Sequence, residues 1–258
     1  MSKENDWWTG FFEPFRPVFG IKSRRGTNAE GRYLIRKMNL KPGRSFLDCP
    51  CGIGRISLPM AKAGVKVTGV DITASYLEEL RTKAARRKLK VATVQRDMRR
   101  IDFEEKFDAA GNLWTSLGYF EKESDNLLAV KKMFCALKPG GKFVLHIINR
   151  DWIVRNFTPS DWQDLGRLRI LESRQFDLAT STSRSTWRFL RGGKERALEA
   201  TIRMYSYHEV IAMFRAAGFV DVEGFSSVRD EPITFDSRMM WVFGTKPRQS
   251  RRPRMTAR

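Results

Sequence analysis

The chain has 258 residues, of which 41% are hydrophobic, and it carries a formal net charge of +19 at pH 7. This length suits one large domain or two small ones, and the apolar content is enough to bury a substantial core. No apolar run reaches the ~18 residues that cross a bilayer, and residues 1–6 lack the apolar stretch of a secretory signal. We therefore expect a cytoplasmic protein that does not associate with membranes.

The cysteines point to a reducing compartment. There are three, Cys49, Cys51 and Cys135, so their count is odd and no disulfide framework is expected. Two of them share a short loop, but the remaining candidates for a zinc site, Cys135 with His146 and His208, show no ligand spacing relative to that pair. The sequence predicts no metal site.

The positive charge is concentrated in two places. Residues 246–258 carry six positive charges and no acidic residue, which predicts a disordered basic tail over 247–258. A second basic cluster spans Lys22 to Lys41. Such charge raises affinity for nucleic acid, but no stacking-aromatic signature of an RNA-recognition or zinc-finger module accompanies it. We therefore favour a solvated basic surface over a nucleic-acid interface.

Residues 1–40 are predicted to form two helices, the first of them rich in aromatic residues that include Trp8 and Phe12. An aromatic face of this kind must cover an apolar surface. Packing on the core and closing over a pocket as a lid explain it equally well, and one helix can do both.

From residue 41 to about 246, strand and helix patterns alternate, which is typical of a parallel sheet with crossover helices. Pro59 predicts that the first crossover helix starts near Ser57 or kinks there. The apolar strand candidates are Ser45–Leu47, Lys66–Val70, Val91–Val94, Phe107–Ala110 and Lys142–Ile148, and two longer helices are predicted over Thr73–Lys88 and Lys122–Leu137.

The rhythm changes at residues 165–205, where apolar and polar residues alternate between turn residues, as in an antiparallel meander. A last helix begins at Ser206, whose spacing to Glu209 is that of a capping box. Phe219–Phe225 and Met239–Gly244 supply two further strands. The predicted fold is thus α/β: a doubly wound, mostly parallel seven-stranded sheet with an inserted antiparallel β meander in one domain, residues 41–246.

Ligands of such sheets bind beyond the carboxyl ends of the strands. There the first strand runs into Asp48-Cys-Pro-Cys-Gly52-Ile-Gly54-Arg55, a tight turn with two glycines, and the second strand ends in Asp71. A carboxylate in that position can accept both hydrogen bonds of a ribose diol. A nicotinamide dinucleotide would need a third glycine to seat its pyrophosphate, and Ser57 stands there.

At these residues the chain resembles the class I S-adenosylmethionine-dependent methyltransferases, in their small-molecule branch. Further matches in the same order and spacing cover roughly residues 7–246: Arg96-Asp-Met98 resembles the adenine-side motif, Phe107–Phe120 the fourth-strand segment that faces the methyl group, and Leu137–Gly141, Asn149–Trp152 and Ala217–Phe219 the later corners.

The resemblance implies S-adenosyl-L-methionine as cofactor and methyl transfer to an N, O or C atom of a small-molecule acceptor. The implied cofactor-binding residues are Asp48, Cys49, Cys51, Gly52, Gly54, Asp71, Ile72, Asp97, Met98, Asn112 and Leu113. The implied substrate-binding residues are Trp8, Phe12, Tyr119, Asn149, Arg150 and Trp152.

We expect Trp8 or Phe12, Tyr119 and Arg150 to line one cavity above the sulfonium. No catalytic base is assigned: His146 lies within a strand, where a core imidazole is the simpler interpretation. No oligomeric state follows from the sequence. The alternatives are an RNA methyltransferase, an NAD(P)-dependent reductase and a non-catalytic nucleotide-binding protein.

Overall fold

The computed structural model describes residues 6–22, 27–166 and 168–248. Two sheets and seven helices organise this part of the chain. The helices are α1 Trp8–Lys22, α2 Thr27–Lys37, α3 Ser57–Lys62, α4 Ala74–Arg86, α5 Glu123–Ala136, α6 Arg150–Arg155 and α7 Tyr207–Ala217. The strands are β1 Ser45–Asp48, β2 Lys66–Asp71, β3 Val91–Gln95, β4 Phe107–Asn112, β5 Leu137–Ile148, β6 Ser160–Asp164, β7 Arg169–Asp177, β8 Thr182–Arg191, β9 Lys194–Arg203, β10 Val220–Phe225 and β11 Met239–Thr245.

The larger sheet has seven strands in the order β10-β11-β5-β4-β1-β2-β3, which confirms the predicted fold class. Strands β1 to β5 are parallel, whereas β11 pairs antiparallel with β5 and β10 antiparallel with β11. Strand order reverses beside β1, where Asp48 lies between Gly69 of β2 and Gly111 of β4. All the carboxyl ends of β1 to β4 therefore meet at one edge of the sheet.

Alternation along the strands divides the core between the two faces of this sheet. Phe46 faces α2 and α3, where it joins Leu34 and Met60, while its neighbour Leu47 faces the opposite layer with Val130 of α5 and Phe214 of α7. The side chains of Phe46 and Leu47 are both fully buried. A strand with helices on both faces is expected to be apolar at consecutive positions, as β1 is.

The insertion forms the predicted meander, a separate antiparallel sheet in the order β6-β7-β8-β9. Its first strand, β6 (Ser160–Asp164), lies before the predicted bounds of 165–205, and it is short, polar and almost entirely exposed. An edge strand of this kind buries no apolar face, and so it has no hydrophobic alternation by which to recognise it.

Several boundaries have identifiable causes. Helix α3 starts at Ser57, so that Pro59 falls in the first turn, where a missing N–H leaves no intrahelical bond unmade. Strand β5 begins at Leu137 rather than Lys142, since Leu137 pairs with Phe107 before a register shift. The capping box of α7 is formed: Ser206 N donates to Glu209 Oε2 at 2.8 Å, and Glu209 N donates to Ser206 Oγ at 3.3 Å.

Residues 249–258, most of the predicted basic tail, lie outside the described residues. Within the described part, no helix has the length and apolarity that a membrane-crossing segment requires.

Candidate cofactor and acceptor site

A cavity of about 270 Å³ opens at the carboxyl edge of the large sheet, where β1 to β4 end and α1 crosses over them. Its walls come from the loops after these four strands and from the aromatic face of α1. The lining residues are Trp8, Phe12, Cys49, Pro50, Gly52, Ile53, Arg55, Asp71, Ile72, Tyr76, Arg96, Asp97, Met98, Leu113, Trp114, Ser116, Tyr119 and Phe120. One space thus joins the predicted cofactor loops to the predicted lid.

The glycine loop after β1 takes its shape from two positive φ angles, 51° at Gly52 and 83° at Gly54. L-residues with side chains rarely adopt this conformation. The two glycines differ in surroundings: a Cβ at Gly52 would meet nothing within 4 Å, whereas a Cβ at Gly54 would lie 2.2 Å from Leu80 Cδ1 of α4. Gly54 therefore allows close packing of loop on helix, and Gly52 keeps the cavity wall free of a side chain.

Asp71, at the end of β2, anchors this loop. Its Oδ2 accepts a hydrogen bond from Gly52 N at 2.8 Å and its Oδ1 accepts one from Thr73 N at 2.9 Å. The side chain is buried yet lines the cavity, and burial raises its pKa. A carboxylate fixed by two main-chain donors still has lone pairs for a further ligand, such as a diol.

Asp48 lies beneath the loop and not in the cavity wall. It is fully buried and accepts a hydrogen bond from Ser57 Oγ at 2.5 Å. Burial raises its pKa to about 7, an effect that the hydrogen bond from Ser57 partly offsets. The carboxyl group thus supports the turn into α3 from below.

Four of the predicted cofactor-binding residues, Asp48, Cys51, Gly54 and Asn112, lie behind the wall, and the other seven line it. Cys51 does not line the cavity because its thiol packs against Gly69 and Leu80 under the loop. Asn112 ends β4 beside the lining residue Leu113. Its buried Oδ1 has no hydrogen-bond partner among the described residues, which fits a group that receives a donor from a ligand.

The far end of the cavity follows β3, where Asp97 and Met98 lie in the wall. Asp97 caps a short 3-10 turn by accepting from Arg99 N at 2.8 Å, and it also pairs with the Arg99 guanidinium at 2.7 Å. Arg99 reaches Asp125 of α5 at 2.8 Å as well. Charged partners thus hold Asp97 in place at the polar rim of an apolar slot formed with Ile72 and Leu113.

Aromatic residues enclose the opposite end. The ring centroids of Trp7, just before α1, and of Phe12 in α1 lie 5.0 and 5.7 Å from that of Tyr119. Trp8 packs edge to face against Phe120, with the centroids 5.1 Å apart. The structure therefore brings the predicted residues Trp8, Phe12 and Tyr119 together. Tyr76 of α4, which the sequence did not single out, also lines this end and donates a hydrogen bond to Phe12 O.

The corner after β5 does not belong to this cavity, contrary to the expectation that Arg150 would share it with Trp8 and Tyr119. Arg150 pairs with Asp151 at 2.8 Å and Glu209 at 3.4 Å, and it lines a separate depression beside the meander. The first turn of α6 directs it there, since Asn149 is the N-cap of that helix.

The other two corner residues are similarly occupied. Buried Asn149 accepts from Asp151 N at 3.0 Å and donates to Ser237 O at 3.1 Å. The Trp152 ring lies under the Arg238 guanidinium at 5.2 Å. Both residues therefore connect α6 to its neighbours and do not line the wall described above.

Arg55 and Trp114 are further wall residues that the sequence analysis did not name as site candidates. The Arg55 guanidinium lies 3.3 Å from the centroid of the Trp114 ring and is tied to α2, through Thr27 Oγ1 at 3.0 Å and Glu30 at 3.3 Å. Trp114 lies two residues beyond the end of β4 and has a φ of 65°. The available signals were the arginine that closes the glycine motif and an aromatic residue at a strand end.

His146 lies behind Trp114, outside the cavity wall. It stacks on Trp241 at 3.8 Å and is buried, and burial lowers its pKa to about 3. Its Nδ1 has no hydrogen-bond partner among the described residues. No group of three or more potential metal ligands lies together within the described residues.

An open, mostly parallel sheet with a glycine turn after β1 and a buried carboxylate after β2 defines a nucleotide-cofactor domain of the Rossmann-like class. Residues 46–141 match the family described as methyltransferase domain. This part of the chain is similar to a methyltransferase domain, which agrees with the predicted resemblance to the class I methyltransferases and supports S-adenosyl-L-methionine as the cofactor.

Individual relatives agree with this assignment. The chain is 32% identical over 120 residues to a putative methyltransferase, YqeM, of Bacillus subtilis, covering 46% of this chain and 48% of that protein. It is 27% identical over 150 residues to the ubiquinone biosynthesis O-methyltransferase of Coxiella burnetii, covering 57% and 58%. The chain thus spans about half the length of the curated relatives that it matches.

Among solved structures, an S-adenosylmethionine-dependent methyltransferase from Clostridium acetobutylicum superimposes with a TM-score of 0.80 at 17% identity, covering 92% of this chain and 99% of that one. This likeness confirms the fold over nearly the whole chain.

Proposed function

We propose that the protein transfers the methyl group of S-adenosyl-L-methionine to an N, O or C atom of a small-molecule acceptor. The observation that carries the proposal is the single cavity in which the glycine loop and Asp71 face an aromatic end built by Trp8, Phe12 and Tyr119. The cofactor supplies a methyl group made electrophilic by its sulfonium. What remains for the protein is to align the two reactants and to exclude water.

For the cofactor, we assign Asp71 to the ribose diol and the slot at Asp97, Met98, Ile72 and Leu113 to the adenine. The main chain at Cys49 and Gly52 would hold the amino-acid end. Asp48, Cys51, Gly54 and Asn112 act in this proposal by shaping or supporting the wall, with the unpartnered Asn112 Oδ1 as an acceptor for a cofactor donor.

For the acceptor, we assign the aromatic end of the cavity. This end is lined by aromatic rings with few polar atoms, which suits an acceptor with an apolar, planar body. The rings are those of Trp8, Phe12, Tyr76, Trp114 and Tyr119. Burial raises the pKa of the Tyr119 phenol, so this hydroxyl stays protonated and can orient an acceptor without removing its proton. The wall contains no histidine, and an acceptor that is nucleophilic while neutral fits it best.

We propose further that residues 1–40 act as a lid on a domain formed by residues 41–246. Helix α1 is tied over the cavity by Tyr76, which donates to Phe12 O, and by an Arg16–Glu79 ion pair at 2.6 Å. Both contacts lead to α4, which flanks Asp71. The three cysteines are free thiols, and the cytoplasm is the location we propose.

The test is a metabolite-library assay with methyl-labelled cofactor, followed by Phe12→Ala on any acceptor found. We expect the substitution to lower kcat/KM at least tenfold and to leave cofactor affinity within about 1 kcal/mol. Phe176→Ala, in the depression beside Arg150, is the matched control and should change neither quantity. Binding of a nicotinamide dinucleotide, without binding of S-adenosylhomocysteine, would contradict the proposal.

A further inference from the structure

The two edges of the large sheet differ sharply in charge. The carboxyl edge holds the cavity with Asp71 and Asp97, whereas the amino edge is where β1 to β5 begin and where α3 and α4 end. Strand β11 also ends there, because Thr245 pairs with Lys142. The loops at the amino edge contribute a dense set of lysines and arginines.

The densest stretch is the end of α4 and the turn into β3. Residues 81–90 contain six lysines and arginines and no acidic residue. Four of them, Arg86, Arg87, Lys88 and Lys90, are exposed and make no ion pair or side-chain hydrogen bond within the described part of the chain. We call these four residues the basic turn.

The basic turn borders a groove along the amino ends of β1 to β4. Lys66, Arg81, Lys90 and Lys106 lie along the groove, whose lining includes no carboxylate. The acidic groups nearby form ion pairs: Glu78 pairs with Arg81 of the groove itself, Glu105 with Lys246, and Asp108 with Arg44 and Lys138. Glu104 stands beside Glu105.

The usual preference for cations at the C-terminal end of a helix does not account for all the lysines and arginines of this stretch. One or two cations in a last turn complement the helix dipole, and Lys83 and Arg86 do so in α4. Arg87, Lys88 and Lys90 lie beyond the helix, and like charges so close together cost repulsive energy in the free protein. An anionic partner with several charges would relieve that repulsion.

We propose that the basic turn and its groove bind the sugar–phosphate backbone of nucleic acid. A run of phosphates supplies negative charges at regular spacing, which suits a row of exposed cations along a groove and needs no base recognition. The chain leaves the described part at Arg248 on this same edge, and residues 249–258 add four arginines and no acid. Because the edge lies opposite the cavity, the proposal does not depend on the assigned methyl transfer.

The test uses the full-length triple variant Arg86→Gln, Arg87→Gln, Lys88→Gln and fluorescent 20-base-pair RNA and DNA duplexes. Each phosphate contact contributes about 0.9 to the slope of log affinity against log salt. We expect the triple variant to lower the magnitude of that slope by roughly 2 to 3 and the affinity near 0.1 M salt by about tenfold or more. The RNA and DNA arms show which backbone is preferred.

A matched control is the triple variant Arg191→Gln, Lys194→Gln, Arg196→Gln in the exposed β8–β9 hairpin, which changes the net charge equally. Equal losses in the two variants would overturn the proposal, since the effect would then be net charge alone. So would stronger, basic-turn-dependent binding of polyglutamate, which indicates an acidic protein, or of anionic lipid vesicles. Both variants should keep the wild-type affinity for S-adenosylhomocysteine, whereas a failed methyl-transfer assignment would show as wild-type protein that does not bind it.

Discussion

The glycine loop at residues 48–55 and the corner at residues 149–152 both follow strands that end at the carboxyl edge of the same sheet. The loop opens onto the cavity, whereas the polar side chains of the corner are bound to other parts of the protein. Asn149 caps α6, and Arg150 pairs with Asp151 and Glu209. A position at a strand end is therefore not sufficient for a residue to line the site.

The two regions differ in whether main-chain or side-chain atoms determine their structure. In the glycine loop the main chain sets the wall, through positive φ angles and the hydrogen bond from Gly52 N to Asp71. In the corner, the contacts of the side chains determine which residues face the cavity, and those contacts are made with α6, the meander and α7. The contrast can be tested by substitutions on each side of it.

The largest expected effect is on the main-chain side, at Gly54. Gly54→Ala places a methyl group 2.2 Å from Leu80 Cδ1 and forces an L-residue to a φ of 83°. We expect a loss of ~2 to 4 kcal/mol in the free energy of unfolding, from strain and overpacking together. Chemical denaturation measures it.

Gly52→Ala is the matched control, because its Cβ would meet nothing within 4 Å. It carries backbone strain alone, of about 1 to 2 kcal/mol. Equal destabilisation by the two substitutions would show that contact with α4 does not shape the loop.

The next effect concerns Asp71. Asp71→Ala removes the acceptor of Gly52 N and of Thr73 N and, in the proposed function, the partner of the ribose diol. We expect affinity for S-adenosylhomocysteine to fall by ~1.5 to 3 kcal/mol in calorimetry, the usual size for charge-assisted hydrogen bonds. Asp97→Ala tests the proposed adenine end of the cofactor site in the same way. Unchanged affinity in the Asp71 variant would remove the carboxylate from the cofactor site.

A third prediction tests His146 as a packing residue. Its folded pKa of about 3 lies below the ~6.5 of an unfolded histidine, so the unfolded state binds more protons between these values and stability falls as pH falls. His146→Phe should abolish about 2 kcal/mol of the loss between pH 6.5 and 5, as 1.5 pKa units imply. Buried Asp48, with its pKa raised to about 7, contributes the opposite slope, stability being lost as pH rises from about 4 to 7.

The comparison with wild type isolates His146, because Asp48 is present in both proteins. A profile unchanged by His146→Phe would mean that the imidazole takes up a proton in the folded protein.

These cases also show how far the sequence could be interpreted. The consecutive apolar residues of β1 and the capping box at Ser206 depend on local rules, and both were predictable. The polar edge strand β6 carries no such pattern. Trp114 and Arg55 come together only in three dimensions, and Arg150 turns away because Glu209, 59 residues further along the chain, pairs with it.

The smallest effect is expected at the corner itself. Arg150→Ala removes partly exposed ion pairs, so the free energy of unfolding should fall by at most about 1 kcal/mol. Cofactor affinity should stay within about 0.5 kcal/mol, because the side chain lies in a separate depression. Tyr119→Ala, in the cavity wall, should instead impair methyl transfer to an identified acceptor, while cofactor affinity changes by less than about 1 kcal/mol. If Arg150→Ala impaired turnover as strongly as Tyr119→Ala, the acceptor would have to extend from the aromatic end to the meander. The aromatic end of the cavity and the depression beside the meander would then belong to one site.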